Sequence, residues 1–114
     1  MGAFASRQVI LLSFPFSDLS ASKLRPALVL ATSGKDDWVL CQITSNPFSD
    51  IRAVEIKGSD FVAGGLQRVS YARPGKLFTA HESLFQRAAG RLAEERHGEI
   101  VEAVVRLLRE GASS

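Results

Sequence analysis

One cysteine, one tryptophan and one tyrosine occur in the 114 residues, and no apolar run approaches the roughly 20 residues a membrane-spanning helix requires. Cys41 therefore has no partner for an internal disulfide. It stands in the apolar run Trp38-Val39-Leu40-Cys41, where a buried thiol is expected, and a reducing cytoplasm suits it. Residues 1–7 carry no basic leader followed by an apolar stretch, so the expected localisation is cytoplasmic, with no membrane partner. No two of the His, Cys, Asp and Glu residues stand at the spacing of a known zinc or calcium motif, and Gly64-Gly65 lacks the rest of a phosphate loop. No metal and no cofactor is expected. Charge of one sign is scarce as well: the net charge is +2, with nine Lys/Arg against six Asp/Glu in residues 1–81 and five against six in residues 82–114. The small basic excess of the first part permits a local contact with phosphates but falls short of the dense basic stripe of many DNA-binding modules.

What is present is enough for one core. Apolar residues make up 46% and charged residues 23% of the chain, which points to a single domain over residues 1–114. Val9 to Phe14 is β-branched and apolar, and Pro15 removes a backbone donor, so a strand ends near Phe14. Residues 17–23 form a polar loop to a second strand, Ala27 to Ala31, and the two suggest an antiparallel pair. Residues 33–37 turn the chain into Trp38 to Thr44. There Val39, Cys41 and Ile43 share one face; Trp38, Leu40, Gln42 and Thr44 share the other, which ends polar. Asn46-Pro47 starts a loop, and Ala53 to Lys57 alternates as a half-exposed strand does.

Further on, Ser59 or Asp60 is expected to cap a single helical turn ended by Gly64-Gly65. Arg68 to Tyr71 and Lys76 to Thr79 read as a kinked strand, or two short ones, divided by Pro74-Gly75. From Ala93 the period changes: Ile100, Val101, Val104, Leu107 and Leu108 fall on one helical stripe, with Glu94 and Glu95 at the start and Arg106 and Arg109 near the end, complementing the helix dipole. Short strands followed by one amphipathic helix give a mainly β chain, a small barrel with a C-terminal α-helix packed on it.

The segments Phe14-Pro15-Phe16-Ser17-Asp18-Leu19, Arg25-Pro26-Ala27-Leu28-Val29-Leu30 and Cys41-Gln42-Ile43-Thr44-Ser45-Asn46 stand in the order and at the spacing seen in MazF/PemK-like toxins. Gly64-Gly65-Leu66, Ser70, Lys76-Leu77-Phe78-Thr79 and Gly90-Arg91-Leu92 continue the pattern, so the chain resembles that family over nearly its whole length. The resemblance implies an SH3-like barrel of the CcdB/MazF/Kid type and a homodimer. It also implies an endoribonuclease that cuts single-stranded messenger RNA at short sequences, held in check by a cognate antitoxin protein. By the same resemblance Arg25 and Thr44 are the catalytic residues. Ser45, Arg73, Lys76, Asp18 and Gln42 are assigned to substrate binding.

Metal-free RNA cleavage drives the 2′-oxygen onto the adjacent phosphorus and leaves a cyclic phosphate and a free 5′-hydroxyl, which requires a base, an acid and a stabiliser of phosphoryl charge. Arg25 suits the last role, because a guanidinium gives two parallel hydrogen bonds to phosphate oxygens and Pro26 biases its backbone toward an extended form. Thr44 and Ser45 offer hydroxyls at a strand end. Arg73 begins the Pro-Gly kink, and Lys76 follows three residues on, within reach of a neighbouring phosphate. The chain departs from some members of the family in having Gly75 where they carry an aspartate proposed as base. His81, Asp18 and Glu55 are then the candidates, His81 being equally suited to capping a short helix.

Other functions remain open on sequence alone. The same barrel serves toxins that poison DNA gyrase, a homologue that binds RNA or antitoxin without cutting fits the missing aspartate, and Trp38, Tyr71 and the phenylalanines suit a peptide scaffold. The antitoxin is expected to be an acidic segment that folds over the RNA groove. Trp38, Leu40 and the outer side of the second strand are candidates for the dimer face, and residues 17–24 and 46–52 for base selection.

Overall fold

In a computed structural model that describes residues 4–13 and 24–111, seven strands form one antiparallel sheet that curls into a half-barrel, followed by one helix. The strands are β1 (Gln8–Ser13), β2 (Leu24–Gly34), β3 (Asp37–Thr44), β4 (Val54–Ile56), β5 (Phe61–Gly64), β6 (Ser70–His81) and β7 (Phe85–Leu92), and the helix is α1 (Glu94–Gly111). Their order across the sheet is β4-β6-β3-β2-β1-β7-β5. Phe14, Asp18 and the rest of the loop expected at 17–23 lie outside the described residues.

β2 and β3 form a tight hairpin. Lys35 and Asp36 both take positive φ, 50° and 67°, the combination whose twist matches that of the flanking strands. The alternation read from Trp38 to Thr44 places Cys41 and Ile43 in one apolar cluster with Val9, Leu28, Ile56, Ala72, Leu92 and Ile100 of α1. Leu40 belongs to a second cluster with Ile10, Leu12, Ala27, Val29, Ala80 and Phe85, partly covered by Phe4, Trp38 and Phe78. Both faces of the central strands are therefore buried, each enclosed leucine or isoleucine contributing about 2 kcal/mol. Leu40 is 0% exposed, which removes it from the candidate dimer face; Trp38 is half-buried and donates from Nε1 to Glu82 Oε1 at 3.1 Å.

β6 is one strand interrupted by an irregularity. Between the pairs Cys41↔Leu77 and Ile43↔Ala72 the partner β3 advances two residues and β6 advances five, so Arg73 to Lys76 bulge out around Pro74-Gly75. The kink expected there is present. The thiol of Cys41 donates to the carbonyl of Arg73 across this bulge at 3.2 Å. Burial pushes that thiol up to about 12. A thiol reagent at pH 8 is accordingly expected to modify Cys41 orders of magnitude more slowly in the native protein than in denaturant, as a colorimetric time course reads directly.

Two strands, β5 and β7, carry no apolar pattern in the sequence. Residues 58–60 make a 3₁₀ turn, in which the Asp60 carboxylate accepts from Lys57 N–H at 2.7 Å, but the chain then enters β5 and pairs with β7. Gly64 and Gly90 face each other in that pair. Gly64 takes φ +63°, and a Cβ there would collide with the carbonyl of Ala89; a Cβ at Gly90 would lie 2.7 Å from Ala63 O and Gly65 N. The glycines therefore permit close backbone approach, not the end of a helical turn.

α1 packs on β6 and β4 through Ile100 and Val104, whereas Leu108 is 62% exposed and so does not belong to the buried stripe. No helix among the described residues is long and apolar enough to cross a membrane.

Candidate functional site

The register of the sheet brings distant residues into one row. β2 pairs with β3 through Ala27↔Gln42, and the same register continued by two residues sets Arg25 opposite Thr44. Thr44 pairs with Tyr71 of β6, and Tyr71 pairs with Glu55 of β4. Directly opposed residues in a pleated sheet point to the same face, so Arg25, Thr44, Tyr71 and Glu55 form a polar row about 14 Å long over four adjacent strands. On the other side of Arg25 the row meets Leu12, its partner on β1 and a member of the second apolar cluster. This is the end at which the face of β3 turns polar, as its alternation indicates.

A cavity of about 300 Å³ opens at the same end of the sheet, lined by Arg25, Gln42, Thr44 and Ser45 together with Arg68 and Ser70. Four of the expected site residues thus meet there. Arg25 is exposed and Gln42 and Thr44 are half-buried. The Thr44 hydroxyl donates to Asn46 O at 3.1 Å and accepts from Asn46 N–H at 3.2 Å, a local turn that fixes its position and leaves one lone pair open. Arg68 carries no motif in the sequence, where it reads as the start of a strand piece. It sits in the segment before β6, whose position is held in part by the buried Ser70 hydroxyl donating to Arg68 O at 3.0 Å. Nothing in the spacing from Arg25 to Arg68 signals that the two approach one cavity.

The other expected residues are placed elsewhere. Arg73 does not line this cavity; its Nε donates to Asp50 Oδ2 at 2.9 Å, with both side chains largely buried, and its guanidinium stands 6.0 Å from the centre of the Phe48 ring. Lys76 is exposed on the bulge, away from the lining, and Asp18 lies outside the described residues. His81 accepts from Ser83 N–H at 3.1 Å and caps the 3₁₀ turn Glu82–Leu84. It pairs with Asp37, seven residues along β3 from Thr44 and so about 23 Å away, which removes it as a base for this site within one chain. Gly75 is adjacent to Leu107 of α1. Of the described base candidates, Glu55 alone shares the row with Arg25 and Thr44.

The hydrogen bond from Arg73, above the other causes, lowers the Asp50 carboxyl below its ordinary range. A group depressed in the folded state contributes stability above its unfolded value and loses that contribution as the pH falls through the folded value. The difference in unfolding temperature between the wild type and Asp50→Asn is therefore expected to be greatest at neutral pH and to close below about pH 4, as thermal melts across a pH series measure.

Among the described residues no three His, Cys, Asp or Glu side chains form a group that could hold a metal ion. A larger cavity, about 1000 Å³, lies between residues 51–54 and α1 and contains none of the expected site residues.

No family model and no curated protein matches the chain. Solved structures do. A mycobacterial endoribonuclease in complex with its cognate antitoxin matches with a TM-score of 0.70 and 16% identity, over 96% of each chain. The Mycobacterium tuberculosis toxin MazF-mt6 matches with a TM-score of 0.69 and 18% identity, over 90% of this chain and 97% of the toxin. A MazE-MazF structure from Deinococcus radiodurans gives a TM-score of 0.71 at 16% identity, over 91% of this chain and 94% of that one. At this level of identity the likeness is one of architecture, and the chain has the fold of the MazF toxins.

Proposed function

We propose that the chain is a toxin that cuts single-stranded RNA, with the row built on Arg25 and Thr44 as its active site. The observation that carries this reading is that an exposed arginine and a strand-end threonine line one small open cavity, the β2–β3 register continued two residues past Ala27↔Gln42 setting them opposite each other. The fold, shared with proteins described as endoribonucleases, supports the same reading.

In this account the guanidinium of Arg25 grips two oxygens of the scissile phosphate and stabilises the charge that grows there as the 2′-oxygen attacks. The 2′-O–P bond forms as the P–5′-O bond breaks, so the products are a 2′,3′-cyclic phosphate and a 5′-hydroxyl. A base must take the 2′-hydroxyl proton, and Glu55, two strands beyond Thr44 on the row and outside the cavity lining, is the described candidate for it; a proton from solvent completes the leaving 5′-oxygen. Thr44 turns its hydroxyl proton from Asn46 O to a phosphate oxygen at the cost of one local hydrogen bond. Gln42, Ser45 and Arg68 supply further donors to the strand. Among the described residues the charged side chains that line the cavity are both arginines, a donor set that attracts phosphate more readily than a divalent cation, in keeping with a metal-free reaction.

A cognate antitoxin, a homodimer and a short recognised sequence belong to the same proposal. An acidic antitoxin segment laid over Arg25 and Arg68 would compete with RNA for the same charges. Purified protein incubated with a long single-stranded RNA is expected to give discrete fragments, lost with both Arg25→Ala and Thr44→Ala. Intact RNA under conditions where the protein still binds it would mark a homologue that does not cut.

A further inference from the structure

The loop between β3 and β4 places an aromatic ring in solvent and braces it from below. Phe48 is 73% exposed although its neighbours in the loop are tied down. Its backbone takes φ +57°, a left-handed conformation that an aromatic residue adopts only when surrounding bonds impose it. Those bonds are present. Asn46 Oδ1 accepts from Phe48 N–H at 2.9 Å, Asp50 N–H donates to Pro47 O at 3.0 Å, and Asp50 Oδ1 accepts from Arg52 N–H at 2.9 Å. The ion pair from Arg73 to Asp50 clamps the loop to β6, and the same guanidinium lies near the Phe48 ring. Arg73 follows Tyr71 by two residues on β6, and Tyr71 belongs to the row of Arg25 and Thr44. Phe48 is four residues beyond Thr44, at most about 14 Å along the chain.

An exposed ring on a backbone held by these bonds, four residues beyond Thr44, is what a strand of unpaired nucleotides needs as a stacking surface, since every base offers a π-face and a held backbone lowers the entropy lost on binding. We infer that Phe48 is a base-stacking platform for a nucleotide next to the cut, and that the Arg73–Asp50 pair serves as the brace that positions it. This rests on the ribonuclease reading above and adds a determinant of substrate affinity to it. Arg73 is then a positioning residue, with the ion pair taking up the charge that a phosphate contact would need.

The experiment compares Phe48→Leu, which keeps an apolar side chain of similar bulk without a π-face, with Phe48→Trp, on a single-stranded RNA that the wild type cuts. Phe48→Leu is expected to raise KM roughly tenfold with kcat little changed, and Phe48→Trp to restore the wild-type value. Equal KM for wild type and Phe48→Leu, with cutting intact, overturns the platform and leaves the ribonuclease reading standing. A wild type that cuts no RNA overturns the ribonuclease reading and the platform with it. If Phe48→Leu instead lowers the molar mass in light scattering, the ring belongs to a contact between copies of the chain and the inference is wrong.

Discussion

Alanine in place of Arg25 is expected to reduce RNA cutting by about a hundred- to a thousandfold while leaving the unfolding temperature unchanged, because the guanidinium is asked to stabilise charge that develops only in the transition state. The side chain is exposed and belongs to neither apolar cluster, so its removal opens no void and strands no buried partner. Arg25→Lys separates a point charge from a planar fork: it retains the positive charge but loses the paired hydrogen bonds, and recovery of only a small part of the rate is the expected result. Initial rates on a defined RNA, with melting curves on the same samples, measure both. A fall in rate that tracks a fall in melting temperature would instead make Arg25 a structural residue.

The largest effect on stability is expected at the contact of β5 with β7. Gly90→Ala would set a methyl group 2.7 Å from two backbone atoms of the 63–65 segment and 2.8 Å from the Phe61 ring, and backbone atoms have no rotamer through which to yield. A loss of about 3 kcal/mol follows, lowering the melting temperature by about 12 °C for a chain of this size. Gly98→Ala serves as the contrasting case. Its Cβ meets nothing within 4 Å, and it lies inside α1, so alanine there is expected to add about 1 kcal/mol through helix propensity. Opposite signs from the same chemical change would show that spacing between strands, and not loss of glycine as such, governs the first variant.

Gly64 and Gly90, which face each other across β5 and β7, also show where the sequence alone stops. β1, β2, β3 and β4 are legible because apolar and polar residues alternate or run together in them, and α1 because its period changes to that of a helix. β7, Phe85 to Leu92, buries only its two end residues, and β5 buries none, so neither carries an apolar pattern to read. Gly64-Gly65 resembles the stop of a helical turn when only its neighbours are known, and the reason for it lies in a strand 26 residues away. Leu40 reads as an outward residue on β3 if one face of the sheet is solvated, and the curl of the sheet makes that premise fail.

The site divides in the same way. Arg25-Pro26 and Thr44-Ser45 are conspicuous as residues through their likeness to a family pattern, yet only the folded sheet brings them to one cavity. Arg73 reads as a substrate residue only through the family resemblance; its partner Asp50 precedes it by 23 residues and meets it only once the loop folds onto β6. Arg68, Tyr71 and Phe48 carry no motif. Among them Phe48 offers the one clue open to inspection, an aromatic residue in a Pro-containing loop instead of a strand run. His81, by contrast, fulfils the capping role its surroundings suggest.

The most direct test of the account is the chemistry of the cut ends. A long single-stranded RNA would be incubated with the purified protein in EDTA, and the termini of the fragments read by mass spectrometry and by their response to kinase. Cutting is expected in full at the chelator concentration that strips divalent ions, with 2′,3′-cyclic phosphate on one side of each break and 5′-hydroxyl on the other. Fragments that carry 5′-phosphate, or cutting that EDTA abolishes, would contradict it.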